Sequence, residues 1–266
     1  MKNAILAGLC TAIMLCGAAP LAAQAIPGGA EIPLSGHIGA GMASRLHLLL
    51  SDGKPRIVRV TSSGGEDIAA LAIARDIARS RTAIVVDGIC AGPCANYIFM
   101  AAARRTVQPG AVVIFTASAT SRLAMVPSQR RSEISAIYEN AARQEKQLLQ
   151  DARGNAALLL EPQLGLGTTC YSLTSRDNAG MAYINYQAQF VGWSPSREWL
   201  ARAGINVAGF WPDNDAQFQA ALQKAIPGGA RGHIAYVAAK SPVNEAALLR
   251  RLQGMPECDS GLPKKK

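Results

Sequence analysis

The sequence predicts an α/β fold, and three observations predict it. Short aliphatic runs (Arg56 to Thr61, Ala83 to Val86, Ala111 to Phe115) alternate with longer stretches of helical period (Gly39 to Leu50, Glu66 to Ser80, Ala95 to Ala103). Breaker clusters separate them: Ser51-Asp52-Gly53-Lys54-Pro55, Ser62-Ser63-Gly64-Gly65 and Pro109-Gly110. The chain has 266 residues, 49% of them hydrophobic, which is ample for a core. Aromatic content is only 5%, with much alanine and glycine, so helices are expected to pack closely through small side chains.

Taken in order, Met1-Lys2, the apolar Ile5 to Leu21 and the small-x-small Ala23-Gln24-Ala25 read as a secretory signal cleaved after Ala25. The alternative is an uncleaved anchor, since the apolar run approaches the roughly 20 residues a span needs. Pro20 and the small residues near the end favour cleavage, after which no stretch is long enough to span a bilayer. Residues 26–160 are expected to form the core, and 161–266 an α+β extension that completes it or is appended to it, ending in a disordered lysine tail.

Glu31 to Ser35 reads as a short strand, Gly39 to Leu50 as a helix and Arg56 to Thr61 as a buried strand. The glycine pair Gly64-Gly65 permits a tight turn into the helix Glu66 to Ser80. Its buried stripe is read as Ile68, Leu71, Ala72, Arg75 and Ala78, widened by Ile73 and Ile77, and Glu66 and Asp67 suit its dipole. The strand Ala83 to Val86 ends in an elbow, Asp87-Gly88-Ile89-Cys90-Ala91-Gly92-Pro93-Cys94, that opens a helix from Ala95 to Ala103. Thr116 to Ser121 is expected as a polar loop and Ser128 to Ala152 as the longest helix, with Ile134, Ile137, Tyr138, Ala141, Leu148 and Ala152 on one face and the Arg, Glu, Lys and Gln residues opposite. Beyond Gly154 a short helix is read at Ala156 to Leu160, and strands at Cys170 to Leu173, Ala182 to Tyr186 and Ile234 to Ala238. Helices are read at Pro195 to Ala203, capped by Ser194, at Asp213 to Ala225, capped by Asp213 or Asn214, and at Val243 to Leu252. Trp193, Trp199 and Trp211 read as core, with a carbohydrate-binding platform as the sharper alternative.

Three blocks in this order carry a resemblance: IPLSGHIGAGMASRL (Ile32 to Leu46), IVRVTSSGGEDIAALAIARDI (Ile57 to Ile77), and VVDGICAGPCANYIFMAAARR followed by PGAVVIF. The chain resembles the ClpP/crotonase superfamily, and most closely its secreted, Clp-protease-like branch of predicted periplasmic proteins. The resemblance covers about a third of the chain well. It implies a spiral of ββα units, an oxyanion glycine in the second block, a nucleophilic serine in the third and a histidine in the strand that follows. It also implies a possible homo-oligomer, with a helix like Ser128 to Ala152 between subunits, although burial within one chain explains that helix equally well.

Laid residue on residue, the resemblance keeps the fold and loses the chemistry. Gly92 stands at the serine position and Thr116 at the histidine position, and no aspartate occurs between Asp177 and Asp213 to serve as the third member. Pro93 stands where an oxyanion donor is expected, and proline has no N–H. Gly64 and Gly65 are what remains, a loop able to present N–H groups to an anion or a carbonyl. Ser62 and Ser63 flank it, with no histidine or lysine placed to activate them, and turn serines ordinarily bond to nearby backbone. The expectation is therefore a catalytically inactive binding or assembly module with an unknown protein or peptide partner. The alternative is a serine-type peptidase or acyl hydrolase with a site rebuilt from Thr116, Ser118 or Ser62.

Without the signal, four cysteines remain, an even number that suggests two disulfides in an exported, periplasmic or secreted chain. Cys90 with Cys94 and Cys170 with Cys258 is the favoured pairing among three, the first pair being otherwise small buried residues. No metal site is expected, since His37, His47 and His233 lie away from the cysteine pairs, and no cofactor is implied. The C-x-x-x-C spacing is not that of thiol oxidoreductases. The net charge of +9 falls by one, to +8, if Lys2 leaves with residues 1–25, which hold no acid. The basic residues are dispersed apart from Lys264-Lys265-Lys266, so a solvated basic face is expected and nucleic-acid binding is not.

Overall fold

The computed structural model describes residues 31–151, 160–161, 164–176, 179–237 and 245–258. The signal-like segment, the lysine tail and most of the short helix read at Ala156 to Leu160 lie outside them. At the centre is a parallel sheet. Strands β1 (Glu31–Ser35), β2 (Ile57–Ser62), β3 (Ala83–Ala91) and β4 (Arg104–Val107) lie side by side, joined at the far edge by the short β9 (Ala208–Gly209). Every pairing in this sheet is parallel. β3 changes partner along its length: Ala83 to Val86 face β4, and Ile89 to Ala91 face β5 (Val112–Ile114). That change carries the elbow past the edge of β4. It also makes β3 longer than the run Ala83 to Val86 that periodicity marks.

Helices α1 (Ala40–Leu50) and α2 (Asp67–Ser80) return from the C-terminal ends of β1 and β2. The buried stripe of α2 differs from the expected one. Ala70, Leu71, Ile73, Ala74 and Ile77 are buried in the main core, while Ala72 is only half-buried and Arg75 is exposed. The helix packs against α1, against the helical segment Cys94–Phe99 and against the helix Ala136–Asp151, and a single-stripe pattern does not describe contacts on several sides.

Three further expectations are corrected. Thr116 to Ser121 is not wholly a loop: α3 (Ala119–Met125) begins within it, because the Ser118 hydroxyl accepts from the Ser121 N–H as an N-cap. The long helix read at Ser128 to Ala152 is broken into a 3₁₀ segment (Ser128–Glu133) and α4 (Ala136–Asp151). Between them Ile134 is extended and buried, and the Ser135 N–H donates to the Ala182 carbonyl at 2.9 Å, so the chain pairs there instead of coiling. The break leaves Ile137 exposed. Finally, Ser194 and Pro195 are not a cap and a first turn. They belong to β8 (Gly192–Pro195), and the helix that follows, α5 (Arg197–Arg202), is capped by Ser196, which accepts from the Trp199 N–H.

An antiparallel hairpin, β6 (Thr168–Arg176) and β7 (Ala182–Ala188), and the pair of β8 with β10 (Ile234–Val237) complete the strands of the described residues. Asn214, one of the two caps read from sequence, caps α6 (Asp215–Ala225) through its side-chain oxygen to the Gln217 N–H. The last helix of the described residues is α7 (Glu245–Gln253). All three tryptophans are buried, so they are core and not a platform. They pack in a chain of rings with the first half of the protein: Phe99 on Trp211 at 6.1 Å, Phe115 on Trp193 at 6.1 Å, and Trp193 on Trp199 at 5.1 Å. No helix among the described residues is long and apolar enough to cross a membrane.

Candidate functional site

The residues singled out by sequence meet at the C-terminal edge of the parallel sheet, where β2, β3 and β5 end, the edge at which open α/β sheets place their ligands. Gly92 is the turn of the elbow. Its φ of +57° is left-handed, its N–H donates to the Ile114 carbonyl at 2.9 Å, and its carbonyl accepts from the Asn96 N–H at 2.8 Å. A Cβ placed on it would lie 3.4 Å from Thr116 Oγ1. The two positions that the resemblance pairs as nucleophile and base therefore do face one another. What they present is a hydrogen atom and a threonine hydroxyl, and among the described residues no hydrogen bond joins Thr116 Oγ1 to a basic side chain.

The glycine loop is closed by its neighbours. A Cβ on Gly64 would lie 3.2 Å from Pro93 Cδ and 3.0 Å from the Ala91 carbonyl, so proline packs directly on this residue. The Gly64 N–H donates to Ser62 Oγ at 3.1 Å and its carbonyl accepts from Ile38 at 2.9 Å. Gly65 has its own constraint: a Cβ there would fall 2.1 Å from the Ile38 carbonyl, so glycine is required by the approach of the β1–α1 connection. Ser62 is buried and donates to the Gly36 carbonyl at 2.6 Å, and Ser118 is buried and serves as a helix cap. Both are structural hydroxyls, which matches the turn reading of Ser62. Ser63 is exposed.

The helix that opens at the elbow is short and wide. The helix read at Ala95 to Ala103 is a π-helix over Cys94–Phe99, continued by α-helical Met100 and Ala101 and ending there. A disulfide from Cys90 at the end of β3 to Cys94 spans the turn, and both residues are fully buried. Asn96 then grips the far side: its amide donates to the Thr116 carbonyl at 3.1 Å and its oxygen accepts from the Thr116 N–H at 3.2 Å. The second disulfide, Cys170 with Cys258, ties the end of the described chain to β6.

Beside the elbow lies a buried polar cluster that sequence reasoning missed. Glu145, fully buried on α4, accepts from four donors: the Tyr97 hydroxyl, the Ala119 N–H at 2.7 Å, the Thr120 N–H at 2.8 Å and the Thr120 hydroxyl. Burial pushes its carboxyl up from the ordinary range, opposed by the hydrogen bonds from Thr120 and Tyr97. Burial also raises the Tyr97 phenol well above its usual value, and the nearby Glu145 adds to this. Asp67, in the first turn of α2, pairs with Arg122 of α3, whose guanidinium lies 5.2 Å from the Tyr138 ring centre. Burial works against the charge on Arg122, and the Asp67 carboxylate together with Tyr97, Tyr138 and Tyr186 outweighs it, so the guanidinium is held above its ordinary range. The signal for Glu145 was present: it falls four residues after Ala141 and three before Leu148, inside the stripe that marks the apolar face of α4.

Together these features define an α/β protein with a strand–turn–helix elbow at the C-terminal edge of a parallel sheet, where Pro93 packs on Gly64 and the Ser62 and Ser118 hydroxyls are bonded to backbone. Among solved structures the chain is similar to a point mutant of ClpP1 from Listeria monocytogenes, at 18% identity over 46% of this chain and 71% of that one, with a TM-score of 0.33. It is similar also to ClpP1 from Listeria monocytogenes, at 21% identity over 47% of this chain and 79% of that one, with a TM-score of 0.30. No family model and no curated protein matches the chain.

Proposed function

We propose that this is an exported ClpP-like protein that works as a catalytically inactive binding or assembly module. One observation carries the reading: at the elbow, Gly92 faces Thr116 and Pro93 packs on Gly64. A nucleophile, a base to activate it and N–H donors free to stabilise an oxyanion are the three things acyl transfer needs from such a site. The positions the resemblance assigns to the nucleophile, the base and one oxyanion donor hold Gly92, Thr116 and Pro93, which do not supply them, and the Gly64 N–H is taken up by Ser62 Oγ. The hydroxyls nearby do not rebuild the set, since Ser62 and Ser118 are buried in bonds to backbone. Two disulfides support export, because such bonds persist in oxidising compartments. Self-association rests on the resemblance alone.

The test is to treat the purified protein with a fluorophosphonate probe, and to assay casein, short peptides and acyl esters beside an active Clp-type protease, with mass determined by light scattering. No labelling and no turnover above a denatured control is the expected result. Stoichiometric labelling, or turnover that survives purification to homogeneity, refutes the inactive reading. Mutation of Ser62, Ser63 and Ser118 in turn then locates the nucleophile.

A further inference from the structure

A second feature lies on the outer face of the helical layer, away from the elbow. α1 and α2 both start at the C-terminal edge of the sheet, and Asp76 lies eleven residues beyond Gly65, on the order of 15 Å along the helix. Between the two helices is a cavity of about 560 Å³. That volume falls within the roughly 300–1,000 Å³ of small-ligand sites.

Its polar wall is built around one carboxylate. Asp76, with a side chain only 9% exposed, accepts from Arg79 Nη2 on Oδ1 at 2.7 Å and faces His47 Nδ1 with Oδ2 at 3.0 Å. Both carboxylate oxygens are therefore engaged. This fixes the His47 ring with Nε2 turned away from Asp76, and it holds Arg79 at the cavity. Arg75, one turn before Arg79 on α2, lines the same cavity and makes no ion pair or hydrogen bond among the described residues. Two guanidinium groups against one acid leave an excess of positive charge, with N–H donors in the fork geometry that suits carboxylate and phosphate. The remaining wall is Ser44 and three apolar residues, Ala43, Ala72 and Leu48, the last 75% exposed. An exposed leucine beside an unpaired arginine is a surface that matches an anion with a hydrocarbon part.

The geometry points to a binding site for a small amphipathic anion, a carboxylate or phosphate on a short apolar stem. Arg75 and Arg79 hold the charged head and Leu48, Ala43 and Ala72 the stem. The site shares no residue with the elbow, so it stands or falls independently of the inactive reading.

The chain has three histidines, so a histidine-labelled sample gives a site-specific reporter in His47, assigned by its loss in His47→Gln. The probes are hexanoate, hexyl phosphate, inorganic phosphate and hexanol, titrated into the purified protein while the histidine ring signals are followed by NMR. A saturable shift of the His47 signal with hexanoate or hexyl phosphate is expected, with His37 and His233 unmoved, and the tighter of the two identifies the head group. Inorganic phosphate and hexanol should each bind at least tenfold more weakly than that amphiphile. Arg75→Gln, at an exposed position, should weaken its binding at least tenfold, and Leu48→Ser should weaken the amphiphile while leaving inorganic phosphate unchanged. The proposal is overturned if neither amphiphile gives a saturable shift, if hexanol matches them, or if Arg75→Gln binds as the wild type does.

Discussion

Replacing Glu145 with glutamine changes a few atoms and tests the polar cluster that joins α4 to the elbow. In the native protein Oε1 accepts from the Tyr97 hydroxyl and the Ala119 N–H, and Oε2 from the Thr120 N–H and hydroxyl. Four donors on two oxygens suit a carboxyl group and not an amide of the same shape. In Glu145→Gln one of these oxygens becomes an NH₂ group. The tyrosine or threonine hydroxyl it meets can rotate and accept from it, but the backbone N–H beside that hydroxyl cannot. With the amide nitrogen in the Oε2 place the Thr120 N–H faces another donor, and with it in the Oε1 place the Ala119 N–H keeps only the Tyr97 hydroxyl at 3.4 Å.

An unsatisfied buried donor costs about 1–3 kcal/mol, and the charge-assisted character of the surviving bonds is lost as well, so the substitution should cost roughly 2–4 kcal/mol. For a chain of this size that corresponds to a fall in Tm on the order of 5–15 °C. Urea denaturation followed by circular dichroism, with the slope of the transition unchanged, measures it. Tyr97→Phe removes a single donor and should cost less than Glu145→Gln. Glu145→Ala, which strips all four donors of their acceptor and opens a cavity, should cost more. A Glu145→Gln variant within about 0.5 kcal/mol of wild type would refute the reasoning, because that is the ordinary scatter of harmless surface changes.

Two further predictions concern the elbow and the disulfides. Gly65→Ala puts a Cβ against the Ile38 carbonyl, which is backbone and cannot swing aside, whereas at Gly92 the nearest atom is the Thr116 hydroxyl at 3.4 Å. Gly92→Ala should therefore fold with a loss of about 1–2 kcal/mol for its left-handed backbone, and Gly65→Ala should lose several-fold more in denaturation or fail to accumulate as folded protein. Equal stability of the two would show that Ile38 does not press on the turn. Removing the Cys170–Cys258 bond, which closes a sequence separation of 88, should cost more than removing Cys90–Cys94, at a separation of 4. The chain-entropy relation gives roughly 4–5 kcal/mol for the long loop and about 2 for the short one, and urea titrations of the two Cys→Ala pairs compare them directly.

The parts of the structure legible in the sequence are those whose causes are local. Strands β1, β2 and β5 and helices α1 and α2 were placed within a residue or so, because a run of aliphatics between breakers, or a helical period after a glycine pair, depends only on neighbours in the chain. What failed depended on partners far away. Ile134 is a sound helix residue by propensity, yet it is extended because Ala182, almost fifty positions on, offers Ser135 a carbonyl. Pro195 is a good first-turn residue, yet the pairing of Trp193 and Ser194 with Ala235 and Tyr236 draws it into a strand, and Ser196 becomes the cap. The candidate site divides in the same way. That Gly92, Thr116, Gly64 and Pro93 would meet followed from three blocks at a recognised spacing. That Gly65 must be glycine because of Ile38 depended on the register of β1 with β2, and that Asn96 would hold both polar atoms of the Thr116 backbone depended on that of β3 with β5. Glu145 is the instructive middle case. Its position on the apolar stripe of α4 was visible, and a charged residue on a buried stripe implies partners able to satisfy it, because burying an unpaired charge costs far more than one contact returns. The sequence therefore announced a buried polar cluster without naming its donors, and those donors now set how tightly α3 and α4 are fixed beside the elbow.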